Sequence, residues 1–209
     1  FAVLLLVAAC HEASPPPVRV VSAAEVYTLE QAATIQGRDG GQSALIWGRS
    51  IWTYGDTVLE VPDASGVTWH HNSFSITDDL VAEGGITGFT ERLDAAGAPV
   101  HFIAPTPEEE AFNVEHRGDA CEAPCNARWA TWPGAPLHDA ERDRGLIFYS
   151  LIYAEPGDLN FRSVGQGIAV WDRFEDPPRR PESSPGAEHP TLLFEEGEPT
   201  FGVGATLDG

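Results

Sequence analysis

The chain has 209 residues, 42% of them apolar, which is enough to bury a core in a domain of ordinary size and excludes wholesale disorder. Acidic residues outnumber basic ones 32 to 12, a formal charge of -20, so the summed field repels phosphate backbones and nucleic acid is not an expected partner. With three cysteines, Cys10, Cys121 and Cys125, packing rather than a disulfide scaffold must hold the fold.

In chain order, residues 1–9 (FAVLLLVAA) form an apolar run too short to span a bilayer, which takes roughly 20 residues. It ends in small residues and a cysteine, the form of a signal h-region and cleavage site. Val7-Ala8-Ala9-Cys10 resembles the lipobox of bacterial lipoproteins, which implies a partial signal peptide over 1–9 and a lipid on Cys10. The other reading of the run is a buried strand followed by a free cysteine. Residues 10–24 include three consecutive prolines and read as a semi-extended tether. The expected location is the bacterial cell envelope, lipid-anchored, periplasmic or at the cell surface.

From about residue 25 to 209, short apolar runs rich in Val, Ile, Trp, Phe and Tyr alternate with Gly, Asp, Asn and Pro clusters, the signature of strands and turns. The fold class expected is all-β. Strands are predicted at Ser43–Trp47, Ile51–Tyr54, His71–Thr77, Gly88–Leu93, Val100–Ile103, Ala127–Trp132, Leu146–Ala154, Gly167–Arg173, Leu192–Glu195 and Gly202–Leu207, with at most a turn or two of helix at Leu29–Ile35. Two segments, Pro105–Cys125 and the proline-rich Phe174–Pro190, read as surface loops. The missing initial methionine, and a final Leu207-Asp208-Gly209 that looks like half of a hairpin turn, predict a domain cut at both ends.

Within GRDGGQSALIWGRSIWTYGDT, residues 37–57, a two-residue turn at Gly48-Arg49 pairs Trp47 with Ser50 and sets Asp56 opposite Gly41. Asp39 is then a diagonal neighbour of Asp56, with Cβ atoms roughly 7–8 Å apart. Glycines around both carboxylates remove bulk and let a ligand approach. Two acids at such range suit glycoside hydrolysis, one delivering a proton and one acting as base or nucleophile. The same residues also fit ordinary turn and strand-end chemistry.

Arg38-Asp39-Gly40-Gly41, the hairpin, Trp52-Thr53-Tyr54-Gly55-Asp56-Thr57, His71-Asn72-Ser73, Trp132-Pro133-Gly134 and Glu198-Pro199-Thr200-Phe201-Gly202 together resemble a bacterial family of five-bladed β-propellers associated with endo-D-arabinanases. The resemblance runs over most of residues 34–207 and implies a partial five-bladed propeller. It places Asp39 on the innermost strand of the first blade, facing a sugar-binding channel, and Asp56 on the next strand. Asn72 would begin the innermost strand of the following blade and bind a sugar hydroxyl. The function implied is a glycoside hydrolase-like lipoprotein, endo-acting on arabinan-type polysaccharide, with Asp39 and Asp56 catalytic. A non-catalytic carbohydrate-binding or surface scaffold lipoprotein is the alternative.

Arg38, His71, Asn72 and Trp132 complete the expected substrate-binding set. His70-His71 with Asp78 and Asp79 is a poor metal cluster, because adjacent strand residues point to opposite faces; no metal or cofactor is expected. The six tryptophans suit either sugar stacking or core packing, and Trp132 is the best exposed platform. Cys121 and Cys125 read as a local disulfide in an exported protein, or as zinc ligands with His116. Glu108-Glu109-Glu110 reads as a solvated loop. The expected partners are a polysaccharide or oligosaccharide and a membrane reached through the lipid anchor.

Overall fold

The computed structural model describes residues 19–25, 28–157, 159–199 and 204–206. Cys10, the apolar run before it and most of the strand expected at Gly202–Leu207 lie outside the described residues. Among the described residues the architecture is mostly β: two antiparallel four-stranded sheets, neither closed on itself. The first contains β1 (Ile35–Ile46), β2 (Arg49–Leu59), β3 (Trp69–His70) and β4 (Ser73–Thr77), with β3 and β4 both paired to β2. The second runs in chain order through β5 (Arg128–Asp139), β6 (Arg144–Ala154), β7 (Phe161–Trp171) and β8 (Leu192–Glu195).

The β1–β2 hairpin turns at Trp47-Gly48, one residue earlier than the sequence suggested, so Leu45 rather than Trp47 faces Ser50. Both turn residues have positive φ, 49° and 74°, the primed geometry that matches strand twist and normally selects Asn or Asp before Gly. Trp47 takes that position because its ring is held from outside the hairpin. It meets Trp171 edge-on at 5.0 Å, and its Nε1 donates to Asp143 Oδ1 at 2.8 Å.

Ile46, Ile51 and Phe74 from the first sheet pack with Phe102, Ile147, Leu151 and Trp171 into one core. Burying each such side chain is worth roughly 1.5–3 kcal/mol, so the shared core fixes the two sheets against each other. β5 is an edge strand, which is why Pro133 and Pro136 are tolerated at its irregularity.

Four expectations need correction. Val100–Ile103 is not a strand: the amides of Phe102 and Ile103 donate to Asn72 Oδ1 at 2.7 and 3.0 Å, so a buried side chain replaces a neighbouring strand. Gly88–Leu93 is not a full strand either, and pairs only through isolated bridges such as Thr90 to Ile76. Leu29–Ile35 forms no helix. The segment read as an acidic loop instead contains α1 (Pro107–Glu115), started by a reciprocal capping box between Thr106 and Glu109 with Pro107 in the first turn. Its acidic run faces the positive end of the helix, and Glu109 is buried in a bidentate pair with Arg180, Oε1 to Nη2 2.8 Å.

Candidate functional site

The carboxylates meet where the hairpin ladder is broken. Arg38 pairs with Thr57 and Gly40 with Tyr54, so Asp39 alone on β1 faces Gly55 and Asp56 on β2. The compensating extra residue is Gly41. Gly40 and Gly41 have φ of 77° and 109°, a conformation that side-chain-bearing residues rarely adopt. Such bulges re-aim side chains, and here the Asp39 carboxylate comes to lie over Gly55, near enough for its charge to act on Asp56. A Cβ added to Gly55 would lie 2.5 Å from Asp39 Oδ1 and 3.9 Å from Trp132 Cδ1, so glycine at 55 makes room for the Asp39 carboxylate beside the indole.

Trp132 reaches this point from the second sheet. Its Nε1 donates to Asp56 Oδ1 at 2.9 Å, and its ring meets Phe161 edge-on at 4.9 Å. Burial pushes the Asp56 carboxyl up to about 6, with the Trp132 hydrogen bond opposing, the Asp39 charge adding to the rise and Arg128 countering it. Asp39 itself is exposed. The structure therefore brings Asp39, Asp56 and Trp132 into one site.

The other expected residues are placed differently. Arg38 turns to the opposite face of β1, where its side chain is 7% exposed, pairs with Glu91 at 3.1 Å and lies 3.6 Å over the Tyr54 ring. Ser75 Oγ also donates to Glu91. Arg38 is thus committed to the packing of the sheet and does not reach a ligand beside Asp39.

Asn72 is fully buried. It does not open a second sheet but sits between β3 and β4, with the same register to β2 on either side. Its amide group donates to Ile103 O at 3.0 Å and to Thr131 O at 3.0 Å, while its oxygen takes the two amides named above. No hydrogen-bonding capacity is left for a sugar hydroxyl, because the side chain is needed to satisfy the unpaired backbone of β5 and of residues 102–103.

His71 is also buried, and its Nδ1 accepts from the Thr131 amide at 3.1 Å. Burial lowers its pKa to about 3, so the ring is neutral with its proton on Nε2. It is stacked on His101 at 4.2 Å, which is stacked in turn on His70 at 4.3 Å. His70 Nε2 lies 2.8 Å from Asp63 Oδ2.

Cys121 and Cys125 are joined in a disulfide with Cα atoms 5.3 Å apart. Among the described residues no group of three or more His, Cys, Asp or Glu is placed to hold a metal ion.

Sequence reasoning missed Arg128. It interacts electrostatically with Asp56, and its guanidinium lies 4.0 Å over the Trp69 ring. The signal was available, since Arg128 and Trp132 are four residues apart on a strand and share a face. No protein-family model matches this chain, and no curated protein matches it.

Proposed function

We propose that Asp39 and Asp56 are the acid and base of a glycoside hydrolase that cuts arabinan-type polysaccharide internally. The observation that carries this reading is two neighbouring, electrostatically coupled carboxylates in unlike environments: Asp56 partly buried, hydrogen-bonded to an indole and holding its proton to about pH 6, and Asp39 exposed. A raised proton affinity on Asp56 fits it for the proton-donating role that glycosidic cleavage requires and leaves the exposed Asp39 for the other. Asp56 delivers the proton to the leaving oxygen, and Asp39 acts as base or nucleophile. Trp132 holds Asp56 in place, and its partly buried ring lies beside the Asp39 carboxylate. The sequence resemblance supplies the substrate class. The propeller reading is supported by two successive four-stranded antiparallel sheets that share a core, and the lipobox-like segment supports an anchor at Cys10. Loss of membrane retention in Cys10→Ala checks that anchor.

The test is chain cleavage of arabinan-type polysaccharide by wild type, Asp39→Asn and Asp56→Asn, with thermal melts as a folding control. Each substitution is expected to lower turnover by about two orders of magnitude or more while the fold persists. Wild-type cleavage should also decline as pH rises past about 6, when Asp56 loses the proton it must donate. Equal turnover in all three proteins would remove the pair from the mechanism. A folded wild type that binds glycans but cleaves none would make this a binding or scaffold lipoprotein.

A further inference from the structure

Beside the carboxylate pair, and not lined by either acid, lies a cavity of about 700 Å³ between the β3 region, α1 and the start of β5. Its size is within the range of about 300–1,000 Å³ usual for small-molecule sites. Trp69 and Trp129 contribute flat apolar wall, and the His70–His101–His71 stack contributes another. Burial holds His71 and His101 neutral at ordinary pH, so that stack brings no charge.

The polar groups of the cavity have capacity to spare. With Nδ1 of His71 taken by Thr131, its Nε2–H is the ring's remaining donor. The Arg128 side chain makes no hydrogen bond among the described residues; its Nε is shut off from solvent, which leaves the Nη donors of the guanidinium for a ligand. Unused donors of His71 and Arg128 on one aromatic-walled cavity favour a ligand that offers several acceptor oxygens.

The chemistry of that ligand follows from charge. Arg117 and Arg128 are balanced by Asp63 and Glu110 around the cavity, while the chain as a whole carries -20. Neither a phosphate nor a carboxylate ligand is favoured by that field, and no excess of acid is present to draw a cation. Aromatic walls with scattered donors and acceptors suit a neutral polyhydroxylated ring.

Arg128 lines the cavity and also interacts with Asp56, so it joins the two places. We infer that this cavity is a separate binding subsite for one or more neutral sugar residues of a glycan chain, read by Trp69, Trp129, His71 and Arg128, from which the chain passes over Arg128 to the carboxylate pair. The inference rests on the glycan-directed reading of that pair and adds where the flanking part of the chain is held.

The test is isothermal titration of the Asp39→Asn protein, which binds without turnover, with a short arabinan-derived oligosaccharide. The titration is repeated after adding Ala104→Trp, which fills the cavity from an exposed lining position, and separately Arg128→Ala. Binding is expected to weaken by about tenfold or more in each, with melts unchanged. Binding by the Ala104→Trp protein within about twofold of its parent overturns the subsite, as does a parent that does not bind at all. A wild type that cleaves while the cavity variants bind normally leaves the hydrolase reading standing and removes only the subsite. A protein that binds through the cavity but cleaves nothing removes the hydrolase reading and leaves the subsite.

Discussion

Arg38 and Asp39 are neighbours on one strand with opposite surroundings. On one face of β1 the Arg38 guanidinium is enclosed with Glu91, Tyr54 and Ser75, and every charge there has a partner. On the other face Asp39 looks across a broken ladder at Asp56, a second carboxylate, and the nearest help is an indole N–H and the more distant charge of Arg128. Glu109 repeats the first pattern with Arg180. Where this fold buries an acid for structure it supplies a cation. Where it sets two acids together it supplies no such direct partner, and burial together with the Asp39 charge raises the proton affinity of Asp56.

The largest effect should come from breaking the first face. Arg38→Ala leaves Glu91, 3% exposed, without its cation, and unfolding in denaturant should show a loss of about 3–5 kcal/mol. Asp39→Ala, one residue along, should change stability by less than about 0.5 kcal/mol. Similar losses from both would erase the distinction between the faces.

A smaller effect on stability but a clear one on activity is expected from Gly55→Ala. The new methyl overlaps the place of Asp39 Oδ1, and because a surface carboxylate can rotate away, the fold should survive. Misplacement of a reacting group by an ångström can cost about a hundredfold, so cleavage should fall by roughly ten- to a hundredfold with little change in melting temperature. Unchanged cleavage would mean that the position of Asp39 over Gly55 is not used.

The smallest effect is a gain. The Asp56 pKa is raised in the folded state, so the folded protein favours the protonated form. Its penalty is absent below the ordinary value near 4 and fully present above about 6. Asp56→Asn carries no such penalty. Its melting temperature should match wild type near pH 4 and exceed it increasingly towards pH 7, by an amount worth about 1 kcal/mol or less because the carboxyl is only partly buried and solvent screens it. A gap that narrows as pH rises would have the wrong sign.

Much of this contrast was legible in the amino-acid order, and what was not has identifiable causes. Alternating strand chemistry located both halves of the hairpin and β8, and the glycines around Asp39 and Asp56 marked the place where the two strands leave regular pairing and a side chain lies close to the backbone. The turn was misplaced because Gly48-Arg49 is better local turn chemistry than Trp47-Gly48. Only the packing of Trp47 against Trp171 in the other sheet makes the observed turn favourable.

The period-two rule already separates Arg38 from Asp39, but it does not say which face is enclosed. That depended on Glu91, 53 residues later in the chain. Asn72 was expected from the resemblance to bind a sugar hydroxyl, yet its partners are backbone groups at 102, 103 and 131 that no local pattern foretells. The helix at Pro107–Glu115 was announced by Thr106 and Glu109 in capping-box spacing, a signal hidden by the charge of the surrounding run.

The central claim is that Asp39 and Asp56 share one electrostatic site. Carboxyl-carbon NMR titration of Asp56, in wild type and in Asp39→Asn, tests it most directly. The expected midpoint is near 6 in wild type and moves down when Asp39 loses its charge. A wild-type Asp56 titrating in the ordinary aspartate range, unmoved by Asp39→Asn, would contradict it.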